Sequence, residues 1–445
     1  MNDSINNYLY NVWRDTLPDE QKYRSIDFEN ISTIPYSKRN FVKVLFCYNT
    51  DTISIDDDII TFSNLESIHL KNVTISKISS KLFDLQHLKR LSFYSLSILN
   101  ENREISFKGI NNLNNLTHLI LWNVTGITQI SNDIFDLKQL EELNLVGNYS
   151  SHINNEFDKL SNLKSLVLDS FQNSVIPSSI YECKNLESLY ISGNNFSNIP
   201  NEFSKLTKLK NIRFTGTNIL TIPDNLGYHK NLHTFILNKT KVKNIDNILK
   251  NLTLSDVSNI EILDLSENGL EVIDFQDFSV KNIFMFDLSK NNLFDIRGKL
   301  VDSEIDLDLG NNNFSEIPIF FKENSGINYV NLSFNKITSL PDWIGQVKIG
   351  SISLKNNKIS YFGTELCSDK YLNFLNLDGN PITDFNPMIC DCEKDMLISV
   401  IGANEELAKK IRQFNNLDTD RVKIVTTQTE YNNYKVKIQS KKRFK

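Results

Sequence analysis

The residues of this chain whose types and spacing could support chemistry are a histidine pair and a small group of cysteines. His229 and His233 are four residues apart, the spacing at which two imidazoles on one helix face can bind a metal ion. The surrounding pattern, however, puts His229 in a turn and His233 at the start of a strand. The two side chains would then not share a face, so the sequence favours structural roles for both.

Cys367, Cys390 and Cys392 form the second candidate group. Three thiolates could hold a metal ion or carry out redox chemistry, but no histidine is near them in sequence to complete a metal site. We therefore expect these cysteines to be buried and to pack as small apolar residues. A thiol-metal enzyme is the alternative, and elemental analysis tests it.

Motifs for phosphate or zinc chemistry do not occur in the sequence. Neither Gly-x4-Gly-Lys-Ser/Thr nor His-Glu-x-x-His is present. The chain is therefore predicted to have no catalytic activity of its own, no cofactor and no metal.

The elements that must position any site come from an internal repeat. Each repeat reads apolar, two variable, apolar, one variable, apolar, two variable, often Asn, one variable, apolar, as in Leu186–Phe196. We number positions from the first apolar residue, so these apolar residues occupy positions 1, 4, 6 and 11 and Asn occupies position 9. Position 1 falls at residues 65, 88, 116, 140, 163, 186, 209, 232, 260, 283, 304, 327, 349 and 372, with a weaker copy at 42.

A fixed period of 20–29 residues in this pattern predicts a solenoid in which each repeat packs on its neighbours. Alternation at positions 4 and 6 indicates a short strand with one face in the core. Later apolar residues three apart predict a helical or 3-10 turn on the opposite side, often entered through Ile-Pro or Leu-Pro. Because stacked strands are narrower than the turns, the parallel sheet should line a concave face.

Asn at position 9 is expected to form a buried ladder where each strand bends. The members are Asn148, Asn194, Asn268, Asn291, Asn312, Asn335, Asn357 and Asn380. Earlier repeats carry mainly apolar residues at this position, so we expect the N-terminal half to be less regular.

With this phrase and a period near 23 residues, the chain resembles the leucine-rich-repeat family and is similar to its intracellular, Ras-suppressor-like class. The resemblance implies an α/β solenoid, a curved horseshoe of about 15 repeats. We expect a helical N-terminal cap over residues 1–40, repeats over 41–386, and a C-terminal cap over 387–445. That last cap should contain a helix over Glu405–Phe414 and a basic tail. Between them we expect two strands, Val422–Val425 and Tyr434–Ile438, around a turn at residues 431–433.

Composition bounds the location and the class of partner. The net charge of −6 argues against nucleic acid or an anionic membrane as the main partner. The N-terminal residues lack the basic and apolar stretches of a signal peptide, no 18-residue apolar run occurs, and five cysteines are too few for a disulfide scaffold. A cytoplasmic location and a monomer are therefore expected, with an exported effector as the alternative.

Two zones stand out among the variable strand positions, which point away from the core. The first is apolar and aromatic where solvent is expected, and clustered aromatics commonly anchor protein interfaces. The alternative is that strand propensity alone placed them there. The residues of this aromatic zone are Tyr94, Ile120, Trp122, Val146, Val167 and Tyr190.

The second zone is a column of carboxylates, Asp264, Asp287 and Asp308, with Asp306 beside them. Carboxylates about 5 Å apart repel unless a cation or a basic peptide lies across them. A solvated acidic face is the alternative. Both zones are predicted to bind protein, and the chain is interpreted as an interaction scaffold or adaptor. A bacterial leucine-rich-repeat effector acting on host proteins is the alternative function.

Overall fold

The computed structural model describes residues 25–27, 36–99, 106–127, 130–147, 153–171, 175–193, 195–223, 229–243, 245, 260–275, 283–299, 304–367, 371–391, 395–415 and 421–434. The chain forms two compact units, Met1–Asn195 and Phe196–Lys445. Several predicted features lie outside the described residues. They are most of the predicted N-terminal cap, Asn148 and Asn194 of the ladder, and most of residues 100–108 and 243–258, where two repeats are about five residues longer than the others.

The first unit is a stack of parallel strands, each paired in register with the next. The strands are Ser25–Asp27, Val44–Tyr48, Ser67–Lys71, Arg90–Tyr94, His118–Trp122, Glu142–Val146, Ser165–Asp169 and Ser188–Ser192. A narrow second sheet joins Thr52–Ile55, Thr74–Ile78 and Ser97–Ile98.

The return paths of the first unit are 3-10 turns, as predicted. They are Tyr36–Phe41, Asp57–Thr61, Ser80–Asp84, Ile110–Asn112, Asn132–Asp136, Phe157–Lys159 and Ser178–Glu182. Pro177 stands at the start of the last of these, where its missing N–H leaves no donor unsatisfied.

The second unit repeats this plan in ten parallel strands, again paired in chain order. They are Asn211–Thr215, Thr234–Asn238, Ile262–Asp264, Met285–Asp287, Ile305–Asp308, Ser325–Asn331, Lys348–Ser353, Phe374–Asn376, Met396–Ser399 and Val422–Val425. Two strand pairs lie apart from this sheet, Val272–Phe275 with Asp295–Gly298 and Tyr361–Phe362 with Asp384–Phe385.

Both 3-10 and α-helical segments connect the strands of the second unit. The 3-10 turns are Asn201–Lys205, Ile344–Gln346, Thr364–Leu366 and Pro387–Asp391, and the α-helices are Phe320–Glu323, Glu405–Asn415 and 428–434. Glu405–Asn415 buries Leu407, Ile411 and Phe414 along one face, and the Asn404 side chain accepts a hydrogen bond from the Leu407 N–H (2.8 Å).

The C-terminal part differs from the sequence prediction. The sheet continues beyond residue 386 through Met396–Ser399, a strand that the sequence did not indicate, and Val422–Val425, a strand that it did. Residues 428–434 form a helix where a turn and the start of a second strand at Tyr434 were predicted. Tyr434, the first residue of the predicted second strand, therefore belongs to a helix.

The core of both units is built from positions 1, 4, 6 and 11 of the repeat, as the pattern predicted. In one repeat these are Leu186, Leu189, Ile191 and Phe196, and all four are buried. Phenylalanines from neighbouring turns pack against each other inside each unit. Phe135 and Phe157, for example, meet edge to face with ring centroids 5.1 Å apart. Burying each such side chain stabilises the fold by about 1.5–3 kcal/mol.

Position 8 of every described repeat adopts a left-handed backbone conformation, from Asn49 (φ 60°) to Gly379 (φ 68°). Asn and Gly are frequent there because they tolerate this conformation best. Gly147 has a second reason, since a Cβ atom would lie 1.8 Å from the Asn123 side-chain oxygen. This backbone bend sends the chain out of the strand in each repeat.

The predicted asparagine ladder is confirmed at its described positions. Asn291 donates to the carbonyl oxygens of Leu265 (3.1 Å) and Leu288 (2.9 Å) and accepts from the N–H groups of Asn268 (2.9 Å) and Leu270 (3.1 Å). Each amide therefore joins two repeats. Equivalent bonds are made by Asn268, Asn312, Asn335, Asn357 and Asn380.

The expectation that the N-terminal half would be less regular is wrong. Each repeat strand of the first unit has five residues and ends at position 7. From Ile262–Asp264 onward the strands end at position 5 and vary from three to seven residues. An apolar residue at position 9 does not disturb the strand, because the backbone groups near its end can be satisfied by the neighbouring strand.

The expectation that Cys367, Cys390 and Cys392 are buried and pack as small apolar residues is wrong for Cys367. Cys47 and Cys183 are buried and are not part of a disulfide, but Cys367 is half-buried and takes part in a disulfide bond. The chain has five cysteines, so the second sulfur belongs to Cys390 or Cys392, whose side chains lie outside the described part.

Candidate functional site

The alternation of each strand places positions 3, 5 and 7 on the face of the sheet opposite the core, which we call the open face. Because neighbouring strands pair in register, each position forms a row that runs across the strands. In the first unit the residue pairs Tyr94–Trp122 and Trp122–Val146 are such neighbours. Side chains far apart in sequence are thereby brought about 5 Å from one another.

The six residues of the aromatic zone occupy two adjacent rows on five consecutive strands. Tyr94, Trp122 and Val146 are contiguous in the position-7 row. Val167 and Tyr190 are contiguous in the position-5 row, where Asn144 separates Val167 from Ile120. The structure therefore brings the predicted residues together, with one polar residue between them.

Burial shows how this surface is shaped. All six residues are half-buried, so each presents only part of its side chain to solvent. Three position-5 residues in the same region are buried more deeply: His69, Ser92 and Asn144 are 7%, 2% and 4% exposed. They lie on the open face, so the longer side chains of positions 3 and 7 must cover them. Position 5 is thus the floor, and the flanking rows are the sides, of a shallow groove.

The aromatic side of the groove extends further than the sequence predicted. Phe46 and Tyr48 lie on Val44–Tyr48, two strands before Tyr94, with their rings stacked at 5.5 Å between centroids, and Tyr48 is 38% exposed. Tyr48 pairs in register with Lys71, which pairs with Tyr94. The weak repeat at residue 42 carried the signal, because Tyr48 is its position 7.

The opposite side of the groove is charged and was missed in the sequence. Arg90, His118 and Glu142 are register neighbours in the position-3 row. His118 Nε2 lies 3.9 Å from Glu142 Oε2, and its Nδ1 is 2.8 Å from the Thr117 hydroxyl. The signal was in the sequence, because the repeat register places all three residues at position 3.

Burial controls the ionisation of this side. It raises the pKa of Glu142, with Arg90 acting in the opposite direction, and it lowers the pKa of His118, where Arg90 adds to the effect. Burial also lowers the pKa of His69 to about 4 and raises the pKa of Tyr94 above its ordinary value. The groove therefore favours neutral side chains, so its charges are costly until a partner supplies hydrogen bonds.

The predicted carboxylate column of the second unit has a different role. Asp264, Asp287 and Asp308 are register neighbours at position 5, as expected. Each accepts a hydrogen bond from the backbone N–H two residues later: Ser266 (2.9 Å), Ser289 (2.8 Å) and Gly310 (2.8 Å). One oxygen of each carboxylate thus closes the end of its own strand.

Asn331 and Asn376 make the same bond at the same position, to the N–H groups of Ser333 (3.0 Å) and Asp378 (2.9 Å). Since an uncharged amide serves as well, the bond needs an acceptor and not a charge. The carboxylate column is therefore explained in part by strand termination. Within the described ranges no group of three His, Cys, Asp or Glu residues could hold a metal ion.

His229 and His233 lie in different elements, as the repeat pattern indicated. His229 is 2% exposed, packs against the Phe203 ring (5.2 Å between centroids) and approaches the Leu206 carbonyl oxygen through Nδ1 (3.1 Å). Burial lowers its pKa to about 4. His233 precedes the strand Thr234–Asn238 and is half-buried. His229 is thus a core residue.

Comparison with known families matches two stretches of this chain. Residues 114–173 and 185–206 match family models described as leucine-rich repeat. Tsukushi of Gallus gallus is 32% identical over 140 residues, which cover 30% of this chain and 31% of that protein. The chain thus spans about a third of the length of this curated relative. The finer Ras-suppressor-like class stays a prediction.

Solved structures show the same fold over most of the chain. A leucine-rich-repeat protein of Leptospira interrogans superposes with a TM-score of 0.65 at 21% identity, covering 90% of this chain and 99% of that one. Toll in the Toll–Spatzle complex of Drosophila gives a TM-score of 0.58 at 16% identity, covering 90% and 68%. At these identities the similarity establishes the fold alone.

Proposed function

Since this chain is a leucine-rich-repeat solenoid, a fold that generally mediates protein–protein interaction, we propose that it is a non-catalytic scaffold or adaptor. Its partner is a protein bound in the groove of the first unit. The observation that carries the proposal is the contiguous row Tyr48, Lys71, Tyr94, Trp122 and Val146 on the open face. Partly exposed aromatics on a rigid sheet give contact area at low conformational cost.

The chemistry of the groove defines the partner. One side offers aromatic rings and the other offers Arg90, His118 and Glu142. A segment with an apolar anchor flanked by polar or charged groups would satisfy both sides. We also propose that the partner is neither nucleic acid nor a membrane, which the net charge of −6 disfavours, and that the chain is a monomer. Among the described residues no helix is long and apolar enough to cross a bilayer.

The location is a separate proposal. Composition favours the cytoplasm, whereas the disulfide at Cys367 favours an oxidising compartment, where such bonds persist. The disulfide supports the alternative function, an exported bacterial effector acting on host proteins. Alkylation of free thiols in freshly lysed source cells distinguishes the two. Protection of Cys367 supports export, and full alkylation supports the cytoplasm.

Affinity capture with matched variants tests the proposed interface. Wild type and the variant Tyr94→Ser/Trp122→Ser/Tyr190→Ser are used as bait in lysate of the source cells. The control is Asp264→Asn/Asp287→Asn/Asp308→Asn, which changes the other unit and keeps its strand-end hydrogen bonds. Circular dichroism must first show that all three fold alike.

A partner held by wild type and the control, and lost by the aromatic variant, is the expected result. Equal retention by all three proteins would contradict the assignment of the groove. Loss by the aspartate variant alone would move the interface to the second unit.

A further inference from the structure

The floor of the groove contains a hydrogen-bond acceptor that the fold does not use. Asn144 is 4% exposed, and its Oδ1 atom has no hydrogen-bond partner among the described residues. Its register neighbours at position 5 are Ile120 and Val167, whose hydrocarbon side chains have no donor to offer. A buried acceptor without a partner costs free energy that folding does not recover. An amide in this place is therefore unfavourable for the fold and becomes favourable once a ligand supplies a donor.

A second unused acceptor stands beside it on the same strand. Glu142 lies two residues before Asn144, so both side chains point to the open face, with their Cβ atoms about 7 Å apart. In the described part of the chain, the Glu142 carboxylate has one basic neighbour within 4.0 Å. This is His118 Nε2 at 3.9 Å, which is too distant for a hydrogen bond. Burial lowers the pKa of His118, so this imidazole is mostly neutral at pH 7 and does not supply the missing charge.

Arg90 does not fill this role either. It lies in the same position-3 row, two strands from Glu142, or about 10 Å at about 4.8 Å per strand. Within the described ranges the two side chains form no ion pair. Arg90 is exposed, so water and salt screen its repulsion of a second cation. The Glu142 carboxylate is therefore open to a cation from another molecule.

Aromatic rings complete the surroundings of these two acceptors. Trp122 is half-buried at position 7 of the preceding strand, in register with Val146 and diagonally across from Asn144. Tyr94 is its neighbour in the same row. Burial raises the pKa of Tyr94 and Glu142 adds to the effect, so the phenol and the carboxylate influence each other across the groove.

The side chain that matches a carboxylate, an amide oxygen and an aromatic ring is arginine. Its planar guanidinium has five N–H donors, enough for two separate acceptors, and it stacks on aromatic faces. A lysine ammonium is a compact point charge that cannot do both as well. Aspartate and glutamate have no donor for these acceptors when they are ionised.

We propose that Glu142, Asn144 and Trp122 form a subsite for an arginine side chain of the protein partner. This inference rests on the proposed function, since it names a residue that the groove of the first unit recognises. The guanidinium pairs with the Glu142 carboxylate, donates to Asn144 Oδ1 and lies against the Trp122 ring. Neighbouring side chains cover Oδ1 in the unbound chain, and their rotation on binding exposes it, a change that is common at interfaces.

Peptide selection against the full chain tests the subsite. A library of random short peptides displayed on phage is selected on the immobilised protein, and the affinities of synthetic copies are measured by fluorescence anisotropy. We expect peptides with a recurrent arginine near an apolar residue. Replacing this arginine by citrulline, which keeps the shape and removes the charge, should weaken binding to wild type about thirtyfold. The same replacement should change the affinity for Glu142→Gln by less than about threefold, because the charged partner is gone.

Two further variants separate recognition from folding. Glu141→Gln is the matched control, because Glu141 is adjacent in sequence and already pairs with Lys164 (2.9 Å between Oε2 and Nζ). It should keep the full preference for arginine over citrulline. Asn144→Val should be at least as stable as wild type in urea, because it removes an unpaired buried amide, yet should bind the arginine peptide about tenfold more weakly. A loss of stability in Asn144→Val with unchanged affinity would show that the amide is structural and would overturn the subsite.

The outcomes distinguish this inference from the proposed function. Peptides that lose binding in Trp122→Ala but contain no arginine, or that bind equally well with citrulline, would overturn the subsite and leave the groove as the binding surface. Peptides that bind Trp122→Ala as well as wild type, or a selection that yields none, would contradict the groove and both proposals with it.

Discussion

The repeats from residue 260 onward carry different side chains at positions 5 and 9 from those of the first unit, and the difference shows which outward residues are available for binding. In the second unit Asp287 and Asn291 hydrogen-bond to the backbone near the end of the strand. In the first unit these positions are mostly apolar, aromatic or small. The strands there run on to position 7, so no side chain at position 5 is needed to end them.

This contrast separates a structural device from a binding surface. In a sequence, a row of carboxylates looks like a site for a cation or a basic peptide. In the structure, one oxygen of each of these carboxylates accepts the backbone N–H that ends its own strand. A row of Tyr and Trp looks like ordinary strand composition. In the folded chain it forms one side of a groove whose opposite side carries acidic and basic side chains. The predictions below test this contrast.

Replacing a ladder amide should have the largest effect. Asn291→Val leaves the buried N–H groups of Asn268 and Leu270 without their acceptor. It also removes one of the two amide donors to each of the Leu265 and Leu288 carbonyl oxygens. We expect a loss of about 3 kcal/mol in the free energy of unfolding, measured by urea denaturation. The exposed neighbour Lys290→Ala is the control, with a change within about 0.5 kcal/mol.

The reverse substitution places an asparagine at position 9 of the first unit, where an apolar residue now stands. Val124 occupies position 9 in the first unit and is 2% exposed. Val124→Asn should destabilise the protein, because an amide buried there finds backbone groups already engaged by the longer strand. A gain in stability would show that the two units do not differ in this respect.

The binding surface is tested by Trp122→Ala. Loss of a central aromatic anchor should weaken binding of the captured partner about thirtyfold, or about 2 kcal/mol, by calorimetry or surface plasmon resonance. Asp287→Asn in the second unit should leave that affinity unchanged. Equal losses in both variants would contradict the division of roles.

Both units should lose stability in acid, because each contains a buried histidine whose pKa is lowered by burial. His69 and His229 have pKa values lowered from 6.5 to about 4, so the folded chain keeps them neutral while the unfolded chain binds protons. Stability therefore falls as the pH drops from 6.5 toward 4, by about 1.4 kcal/mol per histidine at pH 5.5.

His69→Gln and His229→Leu should each remove about half of this loss, measured as unfolding free energy at pH 7 and pH 5.5. An unchanged pH dependence in His229→Leu would mean that His229 is accessible to protons in the folded chain.

The smallest expected effect comes from Asp287 at position 5. Two substitutions there show whether the fold needs the negative charge or only a hydrogen-bond acceptor. Asp287→Ala removes the acceptor for the Ser289 N–H and should cost about 1 kcal/mol. Asp287→Asn keeps an acceptor and removes repulsion from neighbouring carboxylates, so it should be neutral or slightly stabilising. A larger loss with Asn than with Ala would show that the charge itself is required.

Much of the fold was predictable because its signal is periodic. The parallel strands, the 3-10 turns and the asparagine ladder follow from the apolar positions and the recurrent Asn. The helix 428–434 was not predictable, since Lys-Val-Lys-Ile alternation favours a strand and only the packing of Tyr431 on Phe374 marks the other outcome. The disulfide of Cys367 was missed because sequence spacing gives no sulfur–sulfur geometry.

The candidate site was predictable in part. The sequence placed Tyr94 and Trp122 in one row because the repeat fixes the register. It gave no sign that His69 and Ser92 are buried beneath the flanking rows, since burial on an open face depends on the sizes of residues from three neighbouring repeats.

The amino-acid sequence by itself determined which residues point into the core, because burial of apolar surface must recur with the period of the repeat. The tertiary structure alone decided which outward polar groups are already engaged. Asp264 and Asn144 occupy the same position, yet Asp264 caps a strand that ends beside it. The Asn144 Oδ1 atom is buried with no partner among the described residues, on a strand that continues to Val146. A side chain can form such a bond only with a backbone N–H that the neighbouring strand does not already pair, and the assembled sheet decides which N–H groups those are.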